Sequence, residues 1–217
     1  MEKRESFVYK LIVIGSLITG IALNIVNTKS LISILSYYTL QSNIFCLIVF
    51  IGIIISILAK KKYRKNEVYY FIKGAITIAI FITGIVYLIA LLPNNFQMEF
   101  STTSIEKILA NIFVHIISPV LVILDYLIFD TKGKFKIWYP LGWLFLPLNY
   151  VIYVYTYSAN GGRFFGIGGS KYFAYIFLDY NQIGYSGVVK CLSIMAATII
   201  FSSYILIYID RKCRKKH

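Results

Sequence analysis

The sequence predicts an all-α fold, an integral membrane bundle of six transmembrane helices, on three observations. The 217 residues are 59% hydrophobic and 14% charged, with a mean hydropathy of +0.73, whereas soluble domains carry about 25% charge. Six apolar runs each approach the roughly 20 helical residues needed to cross a hydrocarbon core. The connections between them alternate between basic and nearly uncharged. The runs are continuous, which excludes the alternating pattern of a β-barrel. Residues 1–217 therefore read as a single domain with helices near 8–27, 38–59, 70–92, 105–129, 138–157 and 187–209.

The first helix follows Met1-Glu2-Lys3-Arg4, a start like that of a secretory leader. No Ala-x-Ala site follows, so the run is expected to remain as a span. Gly15 and Gly20 suit close helix approach. The next connection is semi-apolar and is expected to turn helical from Ser30. The second helix opens on Tyr37-Tyr38-Thr39-Leu40-Gln41-Ser42-Asn43 and continues in Ile, Leu and Val to Ala59. The third is polar-poor, with Gly74, Thr77, Thr83 and Gly84 as packing positions, and stops at Pro93-Asn94-Asn95.

Ser104 is the expected N-cap of the fourth helix, with Glu106 and Lys107 in its first turn. The fifth begins at Trp138-Tyr139-Pro140 and contains Pro147, which implies a kink. Before the sixth comes the longest connection, 158–186, with turn-forming glycines and many aromatics. The 19 Tyr and 16 Phe supply ample anchors for a membrane interface.

The net charge of +13 does not indicate nucleic acid, because of where it lies. Lys3, Arg4 and Lys10 precede the first span, and Lys60, Lys61, Lys62, Arg64 and Lys65 fill the second connection. Lys132, Lys134 and Lys136 fill the fourth, and Arg211, Lys212, Arg214, Lys215 and Lys216 end the chain. This positive-inside bias places both termini in the cytoplasm of a multi-pass protein of the plasma (inner) membrane. Cys46, Cys191 and Cys213 show neither metal spacing nor a disulfide framework. No metal set and no cofactor motif is visible; the expected partners are membrane lipids and an apolar, ester-like substrate.

His115 is the most informative residue. The only other histidine is His217, and His115 lies in a span, where an ionisable group faces a cavity or a partner. Pro119, four residues on, removes the N–H that the His115 carbonyl would accept from. Thr39, Ser42 and Asn43 share one face of the second helix at i, i+3 and i+4. His115 lies about 16 Å below the start of its own helix, so both groups can line one outward-facing cavity.

A hydroxyl beside a neutral imidazole is the minimum for nucleophilic acyl chemistry. Asn43 would orient the nucleophile or donate to an oxyanion, and Asn111 would fix the imidazole tautomer. The competing reading of both groups is interhelical hydrogen bonding. Asp125, about 15 Å further inward than His115, is too far to pair with it. It is expected to anchor the fourth helix to the fifth, through Trp143 or Tyr150, or simply to approach the inner interface. Glu99 and Asp179, in outer connections, are expected to meet Arg163 or Lys171.

Several segments together resemble a known family. They are Thr39-x-x-Ser42-Asn43, His115-x-x-x-Pro119, Asp125-x-x-x-Phe129, Gly142-Trp143…Pro147…Tyr150, and Tyr172-Phe173-Ala174-Tyr175-Ile176-Phe177-Leu178-Asp179. In order they resemble the bacterial six-helix membrane proteins related to the androgen-induced and androgen-dependent TFPI-regulating proteins of animals. Animal members are integral-membrane hydrolases of fatty-acid esters of hydroxy fatty acids. The resemblance implies Thr39 as nucleophile and His115 as base, with Ser42 as the alternative hydroxyl. The expected function is an intramembrane lipid-ester hydrolase. The alternative is a non-catalytic lipid-binding or small-molecule transport protein.

Overall fold

The computed structural model describes residues 2–59, 66–92, 104–165 and 170–214. The basic run 60–65, Pro93-Asn94-Asn95, Glu99, three glycines of the longest connection (Gly166, Gly168 and Gly169), Lys215, Lys216 and His217 lie outside those residues. The described elements are helical throughout. They comprise α1 (Glu2–Val26), α2 (Leu31–Leu35), α3 (Tyr38–Leu58) and α4 (Glu67–Val86), which continues into a π turn, Tyr87–Leu91. Next come α5 (Ile105–Ile112), a second π turn (Phe113–Ile117) and α6 (Ser118–Phe129), then α7 (Tyr139–Trp143) and α8 (Phe145–Ala159). A 3-10 turn, Ile176–Leu178, leads into α9 (Tyr180–Lys212).

Among the described residues, five helices are long and apolar enough to cross a membrane: Arg4–Val26, Tyr38–Leu58, Glu67–Ile89, Ile105–Phe129 and Tyr180–Lys212. The continuous helix expected over 138–157 is instead two pieces, α7 and α8, joined at Leu144. Pro147 has no N–H for the carbonyl of Trp143, so the α-helical ladder is interrupted there. The Leu144 N–H still reaches the Pro140 carbonyl at 3.2 Å and the Leu148 N–H reaches Leu144 at 3.1 Å, which keeps the two pieces in series.

Two expected starts match. Ser30 caps α2, its side chain accepting from the Ser33 N–H, and α3 begins at Tyr38 after the extended Tyr37. Ser104 holds the N-cap position of α5, but its carbonyl rather than its hydroxyl takes the first N–H groups, those of Lys107 and Ile108. The final element runs from Tyr180, but Gly184, at φ 69° and ψ 164°, divides it into a first turn and a long helix that starts close to the expected 187.

The packing makes α4 the hub. α1 packs against α3, α5 and α6, while α4 packs against α3 and α6, closing a four-membered ring. α7, α8 and α9 then lean on the outer side of α4. Accordingly 67% of the α4 span is buried, against 22% for α9. The ring core is Val13, Leu17, Cys46, Phe50, Ile76, Ile80 and Val122. Each close approach has a small residue beneath it. A Cβ on Gly74 would lie 2.1 Å from the Trp143 ring, and one on Gly20 would lie 2.8 Å from Val114. Gly15, expected to do the same, faces open space.

Buried charges gather at the end of the bundle that holds both the start of α1 and the end of α9. Asp125 accepts from Lys10 at 2.8 Å and from Lys73 at 2.6 Å, and Lys73 also lies 3.8 Å from Asp130. Asp130 accepts from the Tyr69 hydroxyl at 2.5 Å. Asp210 near the end of α9 accepts from Tyr126 at 2.6 Å and from the Phe135 N–H at 2.9 Å. Asp125 therefore ties α6 to α1 and α4, and not to Trp143 or Tyr150 as the sequence suggested. The Trp143 indole donates to the Phe71 carbonyl instead, at 2.9 Å. The opposite end is aromatic and uncharged at its core, built on Tyr37, Tyr150, Val154, Phe164, Phe173 and Tyr175.

Candidate functional site

Thr39 and His115 meet. The Thr39 Oγ1 lies 3.1 Å from His115 Nε2, with both residues buried. The other ring nitrogen, Nδ1, lies 3.1 Å from the Asn111 carbonyl oxygen. A carbonyl can only accept, so in the neutral imidazole Nδ1 carries the proton and Nε2 is bare. The threonine hydroxyl therefore donates to Nε2, the arrangement a general base needs. Asn111 does fix the tautomer, through its backbone. The ring is held flat against Tyr87, with centroids 4.1 Å apart and planes 13° apart.

The local backbone explains this placement. Both helices that present the imidazole and its stacking partner switch to π turns there, at Tyr87–Leu91 and Phe113–Ile117. Such turns concentrate at functional sites. Pro119 can donate neither to the His115 carbonyl in α register nor to the Val114 carbonyl in π register. Asn43 Nδ2 fills the second vacancy, reaching the Val114 carbonyl at 3.2 Å and the Thr39 carbonyl at 2.8 Å. The freed acceptor expected at His115 is thus satisfied one residue earlier. The His115 carbonyl meets Gly84, where a Cβ would come within 2.9 Å of it.

Asn43 consequently spends both amide hydrogens on carbonyls and keeps none for an oxyanion, one of the two roles the sequence suggested. It holds the Thr39 turn against the Val114 turn, and its Oδ1 is buried without a hydrogen bond. Ser42 turns away from the imidazole. Its hydroxyl meets Thr83 Oγ1 at 2.8 Å and the Thr39 carbonyl at 3.0 Å. Of the two hydroxyls, Thr39 is the one on the imidazole.

A cavity of about 100 Å³ reaches Thr39 from the side of α8 and α9. Its walls are apolar, from Ile82, Val86, Leu148, Val151, Leu192 and Met195 among others. Its polar edge holds Thr39, Thr83, Tyr150 and Tyr175. Thr39 forms part of the wall, and His115 stands behind it. Burial raises the Tyr175 phenol above its usual range, countered in part by the Thr39 side chain and N–H and by the Tyr150 hydroxyl, which lie beside it.

Asp125 is not in this site. Nor does Asp179 meet Arg163: it caps α9, accepting from the Asn181 N–H at 3.0 Å and the Gln182 amide at 3.1 Å. Arg163 lies over the Tyr172 ring, 4.5 Å from its centroid. Among the described residues, no group of three His, Cys, Asp or Glu side chains is placed to hold a metal. Sequence reasoning passed over Tyr87, and over Lys73 as the partner of Asp125. Lys73 had a signal, being the only charge in 70–92. Compared with protein-family models, with curated proteins and with solved structures, this chain matches none.

Proposed function

We propose that the chain is an intramembrane hydrolase of fatty-acid esters, with Thr39 as nucleophile and His115 as base. The observation that carries this reading is the 3.1 Å contact between the Thr39 hydroxyl and a bare Nε2, at the wall of an apolar cavity. Thr39 Oγ1 attacks the acyl carbon while Nε2 takes its proton, and the carbonyl electron pair moves onto oxygen. The tetrahedral adduct collapses, the ester C–O bond breaks, and the leaving alcohol takes the proton back from Nε2. Water then attacks the acyl-threonine with the same base, releasing the fatty acid and restoring Thr39.

The residues that resemble the animal hydrolases point the same way, as do the apolar walls, which suit an acyl chain better than a polar solute. In this reading α7 and α8 together make a sixth crossing, both termini are cytoplasmic, and the site opens toward the outer half of the plasma (inner) membrane. The apolar cavity also suits a lipid-binding protein without catalysis.

Hydrolysis of a panel of fatty-acid esters in detergent separates the two. Wild type and Ser42→Ala are expected to turn over ester, while Thr39→Ala and His115→Ala, folded as judged by melting, are not. Wild type inert on every ester would overturn the hydrolase and leave the lipid-binding reading.

A further inference from the structure

Ester hydrolysis needs a place for the negative oxygen of the tetrahedral adduct, and neither Thr39 nor His115 provides it. Asn43, the obvious amide, is fully engaged. The start of α3 supplies other donors. The first N–H groups of a helix have no intrahelical partner, and α3 begins at Tyr38 with Thr39 as its second residue. Tyr37, at the N-cap, contributes no side-chain cap. The Gln41 N–H is the first to find a carbonyl, that of Tyr37. The N–H groups of Tyr38 and Thr39 bond no backbone carbonyl among the described residues. They also carry the positive end of the dipole of a 21-residue helix.

A second, independent observation lies beside them. The Tyr150 hydroxyl is buried with no hydrogen-bond partner, in a residue only 6% exposed. An unpaired buried hydroxyl is costly, so its retention calls for an explanation. Tyr150 lines the same cavity as Tyr38 and Thr39, and its ring sits 5.1 Å from that of Tyr38, at 65°. The Tyr38 N–H lies toward the oxygens of both Tyr150 and Tyr175 without a hydrogen bond to the Tyr150 hydroxyl. Tyr175, 6.3 Å ring to ring from Tyr150, closes the group from the connection before α9.

We infer that the Tyr38 and Thr39 N–H groups and the Tyr150 hydroxyl form an anion-binding site for the tetrahedral oxyanion of an acyl substrate, with Tyr175 as a positioning residue. The inference deepens the hydrolase reading and rests on it for the identity of the oxyanion. The oxygen charged by the attack of Thr39 Oγ1 accepts from three donors and returns its electron pair to carbon as the leaving alcohol departs. No donor changes its protonation. Preorganised donors of this kind act without reorganising at the moment of reaction.

The test uses the whole protein in detergent, with two readouts. The first is steady-state hydrolysis of a medium-chain fatty-acid ester by wild type, Tyr150→Phe, Thr39→Ala and Tyr153→Phe. Tyr153, bonded to Ser36 at 2.7 Å, is the matched tyrosine outside the site. Removing one oxyanion donor is expected to lower kcat on the order of 10²-fold for Tyr150→Phe, with KM nearly unchanged. Tyr153→Phe should match wild type.

The second readout is binding of decylboronic acid, whose adduct with a hydroxyl is a tetrahedral anion, against neutral decanamide. Tyr150→Phe should lose at least about tenfold in boronic-acid affinity and little for the amide. Tyr150→Phe turning over at the wild-type rate while Thr39→Ala is dead would overturn the oxyanion site and leave the dyad standing. Wild type inert on ester but preferring the boronic acid, with Tyr150→Phe losing that preference, would support the anion site and overturn the hydrolase. Neither turnover nor boronic-acid preference in wild type would overturn both.

Discussion

The two ends of the bundle treat buried polarity in opposite ways. At the end where the described chain starts and finishes, full charges are buried and each has a partner. Asp125 lies between Lys10 and Lys73, Lys73 also faces Asp130, and Asp210 takes the Tyr126 hydroxyl and the Phe135 N–H. At the other end the one buried charge described, Asp179, serves as a helix cap, the groups around Thr39 are neutral, and two of these have no hydrogen bond: the Tyr150 hydroxyl and the Asn43 Oδ1. Buried charges must be paired to be tolerated, and once paired they fix helices in register. A buried neutral group left unpaired, as the Tyr150 hydroxyl is at the cavity wall, calls for an explanation, and the proposed anion site supplies one. On the proposed reading the charged end is scaffold and the end around Thr39 is site.

This contrast can be broken most forcefully at Asp125. Asp125→Ala strands Lys10 and Lys73, and breaking a buried pair costs about 3–5 kcal/mol. The variant is expected to melt far below wild type or fail to accumulate; an unchanged melt would remove the scaffold assignment. Gly74→Ala comes next, because its Cβ would fall 2.1 Å from Trp143. Overpacking of this kind costs about 1–3 kcal/mol, read as a lowered melting temperature with the Thr39–His115 contact intact. Thr39→Ala should barely move the melt, since one hydrogen bond is worth about 0.5–1.5 kcal/mol, while abolishing turnover. That split between stability and activity sharpens the comparison, and its reverse would move Thr39 to the scaffold.

The smallest effect concerns pH. Burial raises the Asp179 carboxyl, but hydrogen bonds from Ser170, Asn181 and Gln182 outweigh it and hold the carboxyl below the usual aspartate range. A depressed carboxylate stabilises the fold above its unfolded value and loses that contribution as pH falls through the folded one. Melting followed into acid should fall at pH values below the ordinary aspartate range, and Asp179→Asn should flatten that part of the curve.

Much of this was legible in the residues. Composition and apolar run lengths predict an all-helical, membrane-type chain. The spacing of Thr39, Ser42 and Asn43 puts polar groups on one face, and His115 stands out because an imidazole in an apolar run needs a reason. The choice between Thr39 and Ser42 was not legible, because it depends on which neighbour each hydroxyl meets across the helices. Nor were the two π turns, which change which carbonyl Pro119 orphans and so what Asn43 must do. Lys10 read as a topology marker because it lies near the start of its run, yet its side chain reaches back to Asp125. Pro147 announced a kink, and the break at Leu144 shows that a kink in a short segment divides it.

The order in which groups stand behind the cavity wall has one more consequence. On the proposed reading the base lies behind the hydroxyl it serves, so substrate, water and product would share the cavity that Thr39 lines. A fatty acid formed there would have to vacate the space of its parent ester before another molecule is admitted. An imidazole-modifying reagent confined to that space would find Thr39 in its way, and occupying the cavity with an inert lipid would shield His115 without touching it.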